Sequence, residues 1–177
     1  DASSTSTQSG SAADLAYIQD KGTLVIGITY FEPMNYIDDN KELTGFETEF
    51  AKAVCAKLGV EPEFQAINWS AKETELNAKN IDCIWNGMTI DEERAANMSI
   101  SQPYMQNKQV LIVKSENANT MKESVEGKAI SAEAGSAGET ICTSENFFSD
   151  ANFTAVDTQA KALMEVASGT SDGCVID

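Results

Sequence analysis

Histidine is absent from the 177 residues, and arginine occurs once, at position 94, among twelve basic residues. Without histidine, the usual Ser-His, Cys-His and His-metal chemistries are excluded. The four cysteines (Cys55, Cys83, Cys142 and Cys174) fall in no C-x-x-C spacing, which argues against a zinc or redox motif. No metal and no cofactor is therefore expected. The cysteines read as small core residues or, for Cys142 and Cys174, as a disulfide in the second half. No apolar run approaches the roughly 20 residues of a membrane-spanning helix. Positive charge is scarce: 12 basic residues face 28 acidic ones, a net charge of −16 with a pI near 4.2. That balance argues against nucleic acid and against anionic membrane surfaces, which need clustered Lys or Arg.

What remains is an ordinary globular composition, 42% hydrophobic and 23% charged, long enough for one domain or two small ones. Residues 1–13, "DASSTSTQSGSAA", are Ser/Thr/Gly-rich and read as a flexible linker. A polar tether of this kind suits an exported, surface-anchored protein. "TLVIGIT" is a continuous β-branched run, the pattern of a strand buried on both faces. "TGFETEFAKAVCAKLGV" predicts a helix with Phe46, Phe50, Val54 and Leu58 on its buried face and Gly59 as its stop. "EPEFQAI" reads as a strand, "SAKE" as a capping box starting a helix at Ser70, and "IDCIWNGM" as a strand with Trp85 in its core. A second series follows "QVLIVKS": strand "KAISAE", helix start "SAGETICTSE", strand "NFTAVD", helix "TQAKALMEVASG" and strand "GCVID". Alternating strands and helices imply α/β architecture with parallel sheets. The expected organisation is a linker over 1–13, one lobe over 14–110 and a second over 111–177.

In open α/β sheets, ligands bind beyond the carboxyl ends of strands. "NGMT" lies at such an end, where Gly87 admits a ligand to the backbone and Thr89 offers a hydroxyl. Asp91 is placed to cap a short helix carrying Arg94, whose planar fork can hold a carboxylate through two parallel hydrogen bonds. The bland alternative is a surface arginine paired with Glu92 or Glu93. In the second series, Gly135-Ser136-Ala137-Gly138 joins a strand to a helix start, a place where free N–H groups and the helix dipole favour an anion. An ordinary glycine-containing turn would look the same. The turn is too short for a Walker A loop and lacks its Gly-Lys pair.

The segments "GTLVIGITYFEPMNYID", "LTGFETEFAKAVCAKLG", "INW", "NIDCIWNGMTIDEER" and "SISQPYMQNKQVLIVK" together resemble the polar amino-acid-binding proteins of ABC importers, the glutamine- and lysine/arginine/ornithine-binding family. The likeness runs through nearly all of residues 21–177, and Asp91 departs mildly from the threonine usual before E-E-R. It implies the two-lobe periplasmic-binding-protein fold, each lobe a mainly parallel sheet flanked by helices. Carried over residue by residue, it gives Arg94 and Thr89 the ligand's α-carboxylate, with N–H groups of the Gly135–Gly138 turn (Ser136, Ala137, Gly138). Asn86 and Gly87 would lie beside the amino acid. Trp69 would be an aromatic lid, though a core role fits it equally, and Phe31 or Tyr30 would be the opposing ring. Asp177 would bind the α-ammonium and Glu133 would face the side-chain pocket.

The function so implied is extracytoplasmic binding of a polar amino acid in an inter-lobe cleft. Hinge closure around the zwitterion would precede delivery to the membrane permease of an ABC importer. The protein would reside in the periplasm or on the cell surface as a lipid-anchored lipoprotein, and would not be an enzyme. The loop after Gly27 is one residue shorter than in relatives that select basic side chains, whereas Glu133 favours a donor group, so neutral and basic ligands both stay open. Two rivals share the fold: a receptor's ligand-sensing domain, and a dehydratase using Glu133 or Glu32 as general acid. Relatives continue for some tens of residues past Asp177. The expectation is thus an incomplete second lobe, with the remainder truncated or supplied by a second chain.

Overall fold

The computed structural model describes residues 8–177, which pack as two compact units. One holds the described residues up to Ile67 together with Glu73–Asn86; the other holds Asn68–Lys72 and Gly87–Asp177. The division expected after residue 110 therefore falls instead between Asn86 and Gly87. Its cause is local bonding: Lys72 and Arg94 both donate to the Gly135 carbonyl and tie their segments to the second unit. Of the expected linker, residues 1–7 lie outside the described residues, and residues 8–13 differ from expectation by opening helix α1 (Gln8–Lys21). Ala12 and Ala13 are strong helix formers, and a helix nucleated downstream extends through them at little cost.

The first unit continues with β1 (Thr23–Ile28), the antiparallel pair β2 (Tyr36–Ile37) and β3 (Leu43–Thr44), and α2 (Phe46–Leu58). Then come β4 (Glu61–Ala66), α3 (Lys72–Asn77), whose first residue belongs to the second unit, and β5 (Cys83–Ile84). β1 is the middle strand of a parallel sheet ordered β4-β1-β5, as its apolar run requires. Leu24, Ile26 and Ile28 meet Ala51, Cys55 and Val60 in one core cluster. The face of α2 that is buried differs from the expected stripe. Glu47, Thr48, Ala51 and Cys55 turn inward, while Phe46 is 48% exposed. The aromatic residues are drawn aside into a chain of rings, Phe46 to Phe50 at 6.0 Å and Phe50 edge-on to Trp85 at 5.3 Å.

The second unit comprises α4 (Glu92–Asn97), β6 (Val110–Val113), α5 (Ala118–Glu123), β7 (Ala129–Glu133), α6 (Ala137–Ser144), β8 (Asn152–Val156), α7 (Gln159–Ser168) and β9 (Gly173–Ile176). Its sheet is ordered β6-β9-β7-β8, parallel except where β6 runs against β9. Successive residues point to opposite faces. Val175 accordingly joins a cluster with Ile130, Ala132 and Cys142, while Cys174 joins another with Val156, Ala162 and Val166. Cys142 and Cys174 thus belong to opposite faces and form no disulfide; all four cysteines are free. Burial pushes the thiols of Cys83 and Cys142 up to about 12 and that of Cys174 up to about 11. They are packing groups, not nucleophiles.

A buried polar network closes the first unit where β5 ends. Asn86 Oδ1 accepts from the Thr29 N–H at 2.8 Å and from Asn35 Nδ2 at 3.0 Å, and Asn86 Nδ2 donates to Thr29 Oγ1 at 2.7 Å. Thr48 Oγ1 donates to Asn35 Oδ1 at 2.8 Å. Asn86→Ala would leave two buried donors without a partner, which costs on the order of 2–3 kcal/mol of stability. Urea unfolding measures this, and a loss below about 0.5 kcal/mol, the range of ordinary surface changes, would contradict it.

Candidate functional site

Arg94 is held on α4 by the cap that starts that helix. Asp91 Oδ1 accepts from the Arg94 N–H at 2.8 Å, as the spacing predicts, and Asp91 Oδ2 lies 3.3 Å from Nε. The partner is thus Asp91 and not Glu92 or Glu93, and the residue is buried at 7% exposure, not superficial. Nη1 donates to the Thr89 carbonyl at 2.8 Å and Nη2 to the Gly135 carbonyl at 3.1 Å. A guanidinium has five N–H bonds, so this arrangement orients the group and leaves capacity for a bidentate acceptor. Gly87, at φ 61°, starts the strand-to-loop segment that leads to Thr89.

The turn after β7 forms the opposing side of the same unit. Gly135 sits at φ 74°, and a Cβ there would fall 2.9 Å from the Ser70 backbone, so glycine is required twice over. Its N–H donates to Glu139 Oε2 at 2.6 Å, and the Ser136 N–H donates to the Glu133 carbonyl at 3.1 Å. Two of the turn's four amides, those of Gly135 and Ser136, are therefore committed within the protein. Ser136 caps α6 by accepting from the Glu139 N–H at 3.2 Å. The first-turn N–H groups of Ala137 and Gly138 have no acceptor within the helix.

Trp69 lies in a single 3-10 turn, Trp69–Ala71, capped by Asn68 and not by Ser70, because the Asn68 side chain accepts from the Ser70 N–H at 3.1 Å. It is buried at 5% exposure, with Lys72 Nζ 4.9 Å above its ring. Lys72, itself 5% exposed, is the residue that sequence reasoning missed. Nζ donates to the Gly135 carbonyl at 3.0 Å and the Trp69 carbonyl at 3.3 Å. A signal existed: a lysine in the first turn of α3 opposes the helix dipole, so its charge has its partners elsewhere.

Glu133, at the end of β7, is buried and takes a hydrogen bond from Gln159. The Asp177 carboxylate accepts from Asn107 and Gln109 on Oδ1 and from Gln159 on Oδ2, while its N–H donates to Gln159 Oε1 at 2.9 Å. One amide therefore links the two carboxyl groups. Three expected residues belong to the first unit. Asn86 has its side chain engaged inside the polar network, Phe31 is half-buried beside Asn35, and Tyr30 is 52% exposed. Among the described residues there is no cluster of His, Cys, Asp and Glu able to hold a metal, and no helix is long and apolar enough to cross a membrane.

The model of the bacterial extracellular solute-binding proteins, family 3, matches residues 24–171. The chain is 33% identical over 116 residues to the L-cystine-binding protein TcyJ of Escherichia coli K12, covering 64% of this chain and 44% of that protein. It spans about half the length of the curated relatives it matches. A histidine-bound substrate-binding protein of an ABC uptake transporter from Streptococcus pneumoniae superposes with a TM-score of 0.87 at 31% identity, covering 94% of this chain and 70% of that one. An ancestral amino-acid-binding protein, described as a precursor of cyclohexadienyl dehydratase, gives 0.84 at 31% identity, covering 92% and 73%. These likenesses establish the periplasmic-binding-protein fold.

Glu133 has a testable titration. Burial, then the neighbouring Asp177 carboxylate, push its carboxyl up from 4.5 to about 7, against the opposing pull of Lys72 and the Gln159 hydrogen bond. The folded protein therefore holds this proton more tightly than the unfolded chain does. The associated stability is present below pH 4.5 and is lost as pH rises through about 7. Glu133→Gln should remove that dependence, gaining stability relative to the parent across the window. Denaturant unfolding at a series of pH values measures it, and a parent-to-variant difference that does not change with pH would refute it.

Proposed function

The chain belongs to the bacterial extracellular solute-binding proteins, family 3, and on that premise we propose that it binds a polar amino acid outside the cytoplasm for delivery to an ABC permease. The observation that supports this is the buried, oriented guanidinium of Arg94 in the same unit as the first turn of α6. The α-carboxylate takes two parallel hydrogen bonds from Arg94, with the Ala137 and Gly138 N–H groups and the Thr89 hydroxyl as further donors. Asp177 Oδ2 accepts one amide bond and keeps a lone pair for the α-ammonium. Pairing both charges matters, since an unpaired charge taken from water costs several kcal/mol. Export with a lipid anchor at the cell surface belongs to the same proposal.

One observation favours a second reading, acid-catalysed elimination. Glu133 is buried with its carboxyl near 7, which leaves a proton available for transfer at neutral pH. Turnover of a prephenate-like acid that Glu133→Gln abolishes would establish that activity.

The binding reading is tested by a thermal-shift screen of the twenty amino acids and L-cystine, followed by calorimetry on the best ligand. Arg94→Ala should weaken binding about 100-fold or more and Arg94→Lys roughly 10-fold, because lysine keeps the charge but not the fork. An alanine variant that binds within a few-fold of the parent would remove Arg94 from the site.

A further inference from the structure

The Gly135 carbonyl is one neutral oxygen that accepts from two buried cations, Arg94 Nη2 at 3.1 Å and Lys72 Nζ at 3.0 Å. Each cation also has an acidic neighbour, Asp91 beside Arg94 and Glu133 within the electrostatic reach of Lys72, so the shared carbonyl is an additional constraint on both. Lys72 also donates to the Trp69 carbonyl and lies over the Trp69 ring, so it joins the Asn68–Lys72 segment to the turn after β7. We propose that Lys72 is a positioning residue for carboxylate recognition, acting through Gly135 to aim the first-turn N–H groups of α6; the proposal rests on the amino-acid-binding reading.

The peptide between Gly135 and Ser136 is pinned at both ends. Its carbonyl is fixed by Lys72 and Arg94, and its N–H donates to the Glu133 carbonyl. Pinning that plane fixes the entry into α6, and with it the directions of the Ala137 and Gly138 N–H groups. The preceding N–H is removed from competition by Glu139. Lys72 adds a second effect. Two like charges held against one neutral oxygen repel each other, a repulsion that Asp91 and Glu133 offset in part and that an arriving carboxylate would relieve further. A lysine serving only to fill space would need neither the shared carbonyl nor that position beside a second cation.

The test compares Lys72→Met with Lys72→Arg. In ligand-free protein, the 15N–1H shifts of Ser136, Ala137 and Gly138 should move in the methionine variant and return toward the parent values in the arginine variant. Calorimetry with L-arginine and L-histidine, each paired with its α-carboxamide, reads the recognition itself. The methionine variant should lose about tenfold for the acids and little for the amides, so the acid-to-amide ratio collapses, with partial rescue by arginine. Unmoved amide shifts, or equal weakening of acids and amides with a lowered Tm, would overturn the proposal by showing a merely structural lysine. Should Lys72→Met fail to fold, Lys72→Gln removes the charge with the same expectations. If the parent binds neither acid, the binding reading fails for these ligands, while the amide shifts still decide whether Lys72 holds the turn.

Discussion

A guanidinium that is 7% exposed must be matched bond by bond, and the second unit is arranged around that demand. Asp91 caps α4 and supplies the counter-charge, the loop from Gly87 brings the Thr89 carbonyl to Nη1, and the turn after β7 brings the Gly135 carbonyl to Nη2. Each of these backbone positions has a sequence cause: a helix cap, a glycine at φ 61° and a glycine at φ 74°. Remove the guanidinium and the three segments lose their common partner.

Much of this was legible in the chain. The continuous apolar run located β1, short apolar segments located β4, β7, β8 and β9, and helical periodicity located the extents of α2 and α7, because burial of apolar groups is encoded locally. The Asp91 cap and the position of Arg94 followed from spacing alone. What stayed hidden depends on tertiary placement. Lys72 shows its unfavourable first-turn position in the sequence, but its partner becomes visible only when the chain folds Gly135 against Ser70. Glu139 takes the N–H of Gly135, a bond set by how the turn after β7 folds back on the first turn of α6. Asn86 has the composition of a ligand contact but is consumed by Thr29 and Asn35, which lie more than fifty positions away in the chain. The pair β2 and β3 is too short to produce a periodic signal, and the rotated face of α2 reflects a preference among aromatic rings that no single-helix pattern contains.

The acidity of the whole chain says little about the site. A net charge of −16 spread over a surface is solvated and screened, whereas the charges that matter here are few and are buried or, for Asp177, half-buried. Arg94 and Lys72 converge on one carbonyl, and Glu133 and Asp177 share Gln159. The second unit thus carries two opposite poles inside a strongly acidic protein. Composition excluded the wrong partner classes without pointing to either pole.

Those poles have a consequence for discrimination. On the proposed binding reading, a simple carboxylate would satisfy Arg94 and the first turn of α6 but leave the acidic pole unpaired. A simple amine does the reverse. A zwitterion can pair with both, and each pairing offsets the desolvation of the charge it engages. Selection for the amino-acid backbone then needs no steric filter, because the penalty against single-charge competitors comes from the half left unpaired. Glu133 adds a further level. Its carboxyl titrates near 7, so at neutral pH it can donate to an acceptor or, once ionised, accept from a donor. Under the proposed binding, a site built this way would hold both charged ends of its ligand and tolerate variety in the polar group it carries.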